Sequence, residues 1–236
     1  KTQCCANTWA GSPTLFFCNF DRDASHLITK YQGSGGVFYE DFGALTKQQA
    51  ESCLDRLTGM KNVAMSKGEG VFVLDNFSAC YDLVTLAKYD DRKNGALAYG
   101  PINSWLRDFM LGLERAGIWC LLTAPSKEIW RSIVNPNTGN RTGQATGLFD
   151  PEGWKHADYH IVGEVWLFTT RPAGAQSEPK GTKISEDMEM PEGYPPLEFK
   201  GQITLSKKYS AAEGMILKSP TLAKVLVGIL AQLVRL

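Results

Sequence analysis

GVFVLDNFSACYD, residues 70–82, is the stretch on which the reading of the fold turns. Val71, Phe72, Val73 and Leu74 form a four-residue apolar run, opened by a glycine and closed by an acid. That pattern predicts a strand buried on both faces of a parallel sheet. Asp75 stands at its carboxyl end. In open α/β sheets ligands bind outside the carboxyl ends of the strands, so a carboxylate there is well sited for a ligand and badly sited for a core. A hydrated magnesium ion would suit it, because this hard cation takes oxygen ligands and keeps several of its waters. The alternative is that Asp75 only caps the helix that follows at Asn76.

Outward from this strand, the chain opens Lys1-Thr2 and runs into the helix-like QCCANTWA, residues 3–10. A phosphate-binding loop ends in Gly-Lys-Thr or Gly-Lys-Ser, opens a helix and is followed by a strand, and this segment offers that order of elements without the glycines. In such a loop the lysine reaches the β- and γ-phosphates, the threonine hydroxyl binds magnesium, and the glycines supply a cradle of backbone N–H groups. The sequence is therefore read as starting inside its own nucleotide-binding loop. Residues 15–20, LFFCNF, predict a second buried strand ending in the charged cluster Asp21-Arg22-Asp23. Residues 118–122, IWCLL, predict a third, closed by Thr123.

Lys1-Thr2, the strand closed by Asp21, the Asp75 strand and GIWCLLTAP (117–125) together resemble a RecA-like ATPase. Within that superfamily the chain is most similar to compact, single-domain phage and archaeal proteins of recombination and single-strand annealing. The resemblance spans nearly the whole chain. It implies an α/β fold: a doubly wound, mostly parallel sheet with helices on both faces, with the strand that precedes the phosphate loop central and beside the Asp75 strand. It also implies ATP and Mg2+ as cofactors, with Lys1 on phosphate and Thr2 and Asp75 holding the magnesium. Asp21 takes the place of the general base that orients the attacking water, although it is one methylene shorter than the usual glutamate. The other reading of Asp21 is a solvated turn, with Asp23 capping a short helix at Ala24. Thr123 takes the place of the polar residue that senses the γ-phosphate. Two loops, 89–100 and 124–147, take the places that contact single-stranded DNA in RecA-like recombinases. Lys207 and Lys208 end a late strand, where some relatives reach a neighbouring subunit's nucleotide, so a homo-oligomer is implied; an arginine fork would serve that role better.

The second of those loops belongs to a long, polar connection rich in breakers, 124–150. So long a connection inside a compact domain is usually functional or disordered. It carries Lys127, Arg131 and Arg141 beside Trp130, and no acid lies between Trp130 and Leu148. Basic groups neutralise phosphates while an aromatic face stacks on a base, the combination expected for single-strand binding. The competing reading is a solvated connection with Trp130 packed beneath it.

The remaining segments read as scaffold. The 236 residues suit one domain, 1–236, and bury a sizeable core. Twenty-five basic residues balance twenty-five acidic ones, so net charge predicts no general attraction to nucleic acid or membrane. The six cysteines lie among apolar neighbours with no C-x-x-C pair, which suits small buried hydrophobes in a reducing cytoplasm. No eighteen-residue apolar run predicts a membrane span. Thr46 and Gln49 resemble a capping box opening an amphipathic helix over 46–64, and further helices are expected near 78–88 and from Pro101 to about Ala116. His156 and His160 are spaced for a metal only on a helix, whereas residues 158–171 alternate as a strand, which argues against a metal there. Residues 172–196 read as a flexible excursion, 200–208 as a strand, and 219–236 as a closing helix.

Three functions fit this reading. The first is an ATP-binding, ATP-hydrolysing protein acting on single-stranded DNA in recombination or repair. The second is a non-catalytic nucleotide-binding assembly module. The third is a RecA-like regulatory ATPase of the circadian-clock type with a protein partner.

Overall fold

The computed structural model describes residues 14–20, 36–89, 95–134, 141–151, 163–170, 198–206 and 216–218. Their elements fall into two compact units, one within residues 9–160 and one within 161–236. The larger holds a four-stranded, all-parallel sheet: β1 (Leu15–Asn19), β2 (Val37–Asp41), β3 (Val71–Asp75) and β4 (Trp119–Leu122), in the order β2-β1-β3-β4. Three helices belong with it: α1 (Lys47–Lys67), α2 (Phe77–Lys88) and α3 (Gly100–Arg115), the last preceded by a 3-10 turn, Gly95–Tyr99. A parallel sheet joined through helices is an α/β fold.

β3 behaves as its composition requires. Phe72 and Leu74 join the core formed with the three helices, while Val71 and Val73 are buried on the opposite side. β1 repeats this, with Phe16 and Cys18 in the helical core and Leu15 and Phe17 buried on the other side. Both strands are therefore covered on both faces. Both edges of β3 are hydrogen-bonded as well, to β1 from Leu15↔Val71 to Asn19↔Asp75 and to β4 from Val71↔Trp119 to Leu74↔Leu122. This corrects the expectation that a further strand lies beside the Asp75 strand, because no edge of β3 is left to receive one.

On the helical side an aromatic ladder crosses the sheet in register. The Phe38 and Phe16 rings stack at 4.9 Å, Phe16 and Phe72 at 5.9 Å, and Phe109 of α3 meets Phe72 edge-on at 5.6 Å. Such pairs add about 0.5–1.5 kcal/mol each beyond their burial. α1 presents Ala50, Cys53, Leu54, Leu57 and Ala64 to this core. Its start is the expected capping box, in which the Thr46 hydroxyl accepts from the Gln49 N–H and the Gln49 side chain accepts from the Thr46 N–H. Gly70 opens β3 at φ 136°, and a Cβ there would lie 2.5 Å from the Thr14 carbonyl that accepts the Val71 N–H, so only glycine lets β3 start this close to β1.

After β4 the sequence expectation of a long loop gives way to an antiparallel hairpin, β5 (Ser126–Val134) with β6 (Arg141–Pro151). Its strands escape a burial-based reading because those of their side chains that are described are mostly exposed, and the sequence carries only a weak in-out alternation of hydrophobic residues. The smaller unit contains an antiparallel sheet of β7 (Gly163–Thr170), β8 (Glu198–Ser206) and β9 (Ile216–Lys218), in that order. β7 and β8 follow the alternation of 158–171 and 200–208, while β9 carries too few residues for a periodic signal. The expected excursion 172–196, the closing helix 219–236 and His156 and His160 lie outside the described residues. Among the described residues no helix is long and apolar enough to cross a membrane.

Phe72, with no exposed surface and two ring partners, is the test of this core. Phe72→Ala should cost about 3–5 kcal/mol of unfolding free energy, and Thr46→Ala at the helix cap only about 1 kcal/mol. Urea denaturation followed by circular dichroism measures both; a Phe72→Ala loss no larger than the cap loss would contradict the core assigned here.

Candidate functional site

The carboxyl ends of β2, β1 and β3 bring Asp41, Asn19 and Asp75 into one row, since Asn19 is in register with both acids. In parallel strands, residues in register leave the same face of the sheet. β1 is central in this row, so Asn19 is fully buried; Asp75 is only 4% exposed.

The turn after β3 decides between the two readings of Asp75. The cap of α2 is Asn76, whose side chain accepts the Ser78 N–H at 2.9 Å. Asp75 is therefore not the N-cap, and its carboxylate instead accepts the Thr123 hydroxyl through Oδ1. Thr123 is held to the same turn by its backbone. Its N–H donates to Leu74 O at 3.1 Å, and its carbonyl accepts the Phe77 N–H at 2.6 Å. The Phe20 N–H donates to Asp75 O at 2.5 Å, tying the end of β1 to the end of β3. The Asp75–Asn76 peptide is cis.

A threonine hydroxyl has one proton, and here it goes to Asp75. Thr123 thus orients the carboxylate, and it could donate to a phosphate oxygen only by releasing Asp75. On the other side of the row, Asn19 Nδ2 donates to Asp41 Oδ1 at 2.6 Å and to Tyr39 Oη at 3.0 Å, and the Tyr39 hydroxyl donates to Asp41 Oδ1 at 2.5 Å. Burial first, and then the bond to the Asp41 carboxylate, push the Tyr39 phenol well above its ordinary pKa. Asn19 Oδ1 is buried with no hydrogen-bond partner among the described residues. Leaving such an acceptor unsatisfied costs about 1–3 kcal/mol, so native sites that keep one call for an explanation.

These atoms fit a magnesium ion with its waters. The donors are oxygens from a carboxylate, an amide and a hydroxyl, the set a hard cation prefers. Among the described residues no three His, Cys, Asp or Glu side chains gather as a softer metal would need. The thiols are poor alternatives as ligands or nucleophiles: burial raises the pKa of Cys18, Cys80 and Cys120, that of Cys120 to about 12, which keeps them protonated. A cavity of about 380 Å3 lined by Gly43, Ala44, Leu45, Gln49, Ser52, Cys53 and Arg56 touches none of Asn19, Asp75 and Thr123. Its one cation, Arg56, is paired with Glu40.

Of the residues singled out in the sequence, Asp75 and Thr123 are brought together. Lys1, Thr2, Asp21, Lys207 and Lys208 lie outside the described residues. Lys127, Trp130 and Arg131 are on β5 and Arg141 begins β6, with the three basic side chains exposed. Arg131 is in register with Gln144 and Arg141 with Val134. Positions 131 and 134 differ by an odd number, so Arg131 and Arg141 leave opposite faces of the hairpin. Sequence reasoning missed Asn19, Tyr39 and Asp41. The signal available was a lone amide inside the apolar run LFFCNF. No protein-family model matches the chain, and no curated protein is significantly similar to it.

Thr123→Val removes the donor to a buried carboxylate while keeping the shape, and should destabilise the protein by about 1–3 kcal/mol; Thr123→Ser should recover most of that loss. Equal stability of all three proteins in chemical denaturation would show that the hydroxyl carries no such role.

Proposed function

We propose that this chain is a RecA-like, magnesium-dependent ATPase that acts on single-stranded DNA in recombination or repair. The observation that carries the reading is Asp75: a carboxylate 4% exposed at the carboxyl end of an interior parallel strand, oriented by the hydroxyl that ends the next strand. Core positions do not favour such a group, whereas the carboxyl ends of parallel strands are where ligands bind. The doubly wound arrangement of the RecA-like fold belongs to this proposal, supported by the strand residues buried on both faces.

In this reading Asp75 and Thr2 would hold magnesium, and Lys1 would balance the charge of the β- and γ-phosphates. Bound magnesium would supply a Lewis acid for the phosphate oxygens. Thr123 would keep Asp75 in the orientation that faces the cation. Asp21 would orient a water molecule and accept its proton. The β5–β6 hairpin starts three residues after Thr123, and its exposed Lys127, Arg131 and Arg141 offer cations for phosphates. A homo-oligomer, with Lys207 and Lys208 reaching a neighbour's nucleotide, completes the proposal.

Asp75→Asn keeps the shape and still accepts the Thr123 proton, but loses the charge. Magnesium-dependent ATP hydrolysis by the full-length protein should fall by roughly a hundredfold, equivalent to about 2.7 kcal/mol, with little change in melting temperature. Parental turnover in the variant would remove Asp75 from the site, and absence of any magnesium-dependent hydrolysis in the parent would remove the ATPase reading.

The DNA part of the proposal has its own test, by fluorescence anisotropy on labelled oligonucleotides over a salt series. Alanine at a basic hairpin residue that contacts phosphate should make the logarithmic salt slope shallower by about 0.7. Trp130→Ala should cost about 1–3 kcal/mol of affinity and leave the slope alone, because stacking releases no counterions. Since Arg131 and Arg141 leave opposite faces, DNA lying along one face will register only one of them. Four variants that all bind like the parent would end the DNA-binding reading.

A further inference from the structure

Asn19 is buried at the centre of the row, and the orientation of its amide is dictated by its neighbours. Asp41 Oδ1 lies 2.6 Å from Nδ2, and a carboxylate only accepts, so the nitrogen must face β2 and the carbonyl must face away from it. The Tyr39 hydroxyl holds the same Asp41 oxygen at 2.5 Å and receives the Asn19 amide at 3.0 Å, which closes a three-membered clamp. Asn19 is in register with Asp41 on one side and with Asp75 on the other. The clamp therefore turns Oδ1 away from Asp41, and among the described residues it meets no donor.

We propose that Asn19 Oδ1 accepts a hydrogen bond from a water molecule of the magnesium ion held at Asp75, with Tyr39 and Asp41 fixing the amide for that task. This rests on the magnesium site proposed above, and it adds Asn19 as a positioning residue. A water bound to a cation through its oxygen points both hydrogens outward and needs acceptors for them. Magnesium keeps several such waters, and acceptors around the first ligands orient them. An amide carbonyl fits this place better than an acid would. A third carboxylate between Asp41 and Asp75 would be opposed by both charges and would tend to take up a proton.

The test uses Mn2+ as the probe, with free Mn2+ followed by electron paramagnetic resonance while the full-length protein is titrated in the presence of ADP. Asn19→Leu is close in volume and removes the acceptor. It should raise the Mn2+ dissociation constant about 10- to 100-fold, the usual cost of losing a partner of a metal's ligands, while ADP affinity without metal stays at the parental value in calorimetry. Unchanged Mn2+ affinity, or a fall in ADP affinity that is equal with and without metal, would overturn the proposal. Asp75→Asn run in parallel separates the two levels. If it abolishes Mn2+ binding and Asn19→Leu does not, only the role of Asn19 fails; if neither variant changes Mn2+ binding, the magnesium site itself fails. Should Asn19→Leu not fold, as judged by circular dichroism, Asp41→Asn decides. It keeps Asn19 but lets the amide turn over, so the Mn2+ dissociation constant should rise several-fold, and an unchanged value overturns the proposal.

Discussion

Every other feature of the larger unit follows from the enclosure of β3. Val71 to Leu74 are paired with β1 on one edge and β4 on the other and are buried on both faces, so no polar side chain has a place among them. The first polar group can stand only at the carboxyl end, and Asp75 stands there. A carboxylate so far from water needs donors, and the Thr123 hydroxyl is one of them. That bond, with the backbone bonds from Thr123 N–H to Leu74 and from Phe77 N–H to Thr123, fastens the end of β4 to the start of α2. Strand order, helix start and carboxylate orientation are consequences of one another here.

The same enclosure explains why the site is rigid on one side and incomplete on the other. Toward β2, the Asn19 amide, the Tyr39 phenol and the Asp41 carboxylate satisfy one another, and burial of the phenol strengthens its role as donor by keeping it protonated. Toward β3, Asn19 Oδ1 is a buried acceptor with no hydrogen-bond partner among the described residues, and the Asp75 carboxylate in register with Asn19 takes the Thr123 hydroxyl. A buried acceptor of the Asn19 kind attracts either water or a hard cation carrying water. The chemistry of the row thus narrows the class of ligand before any nucleotide is considered.

Much of the sheet was legible in the sequence because its strands carry apolar runs. Val71 to Leu74 and Leu15 to Phe20, the latter interrupted only by Asn19, became buried interior strands, whereas Ile118 to Leu122, expected to be buried as well, became the edge strand β4, with Trp119 exposed and Cys120 to Leu122 partly buried. The capping box at Thr46 and Gln49 was legible for a similarly local reason, since both partners lie within one turn of helix. The β5–β6 hairpin was not legible, because its strands are rich in polar residues that leave no periodic mark, and pairing partners such as Arg131 and Gln144 are distant in sequence. Asp75 was legible as a candidate, but its two readings were equally compatible with the order of residues. Hydrogen bonding separated them, with Asn76 taking the cap and Thr123, forty-eight residues away, taking the carboxylate.

The sequence by itself determined that this is an α/β protein with buried parallel strands and an acid at the end of one of them. Those properties follow from local composition, from what a run of apolar residues must do in water. Tertiary structure alone decided the strand order, the closure of both edges of β3, the row of Asp41, Asn19 and Asp75, and the direction in which the Asn19 carbonyl points. Each of these depends on which strands become neighbours and in what register, and register is set by the packing of whole faces against the helices, a sum over contacts that no single stretch of chain contains.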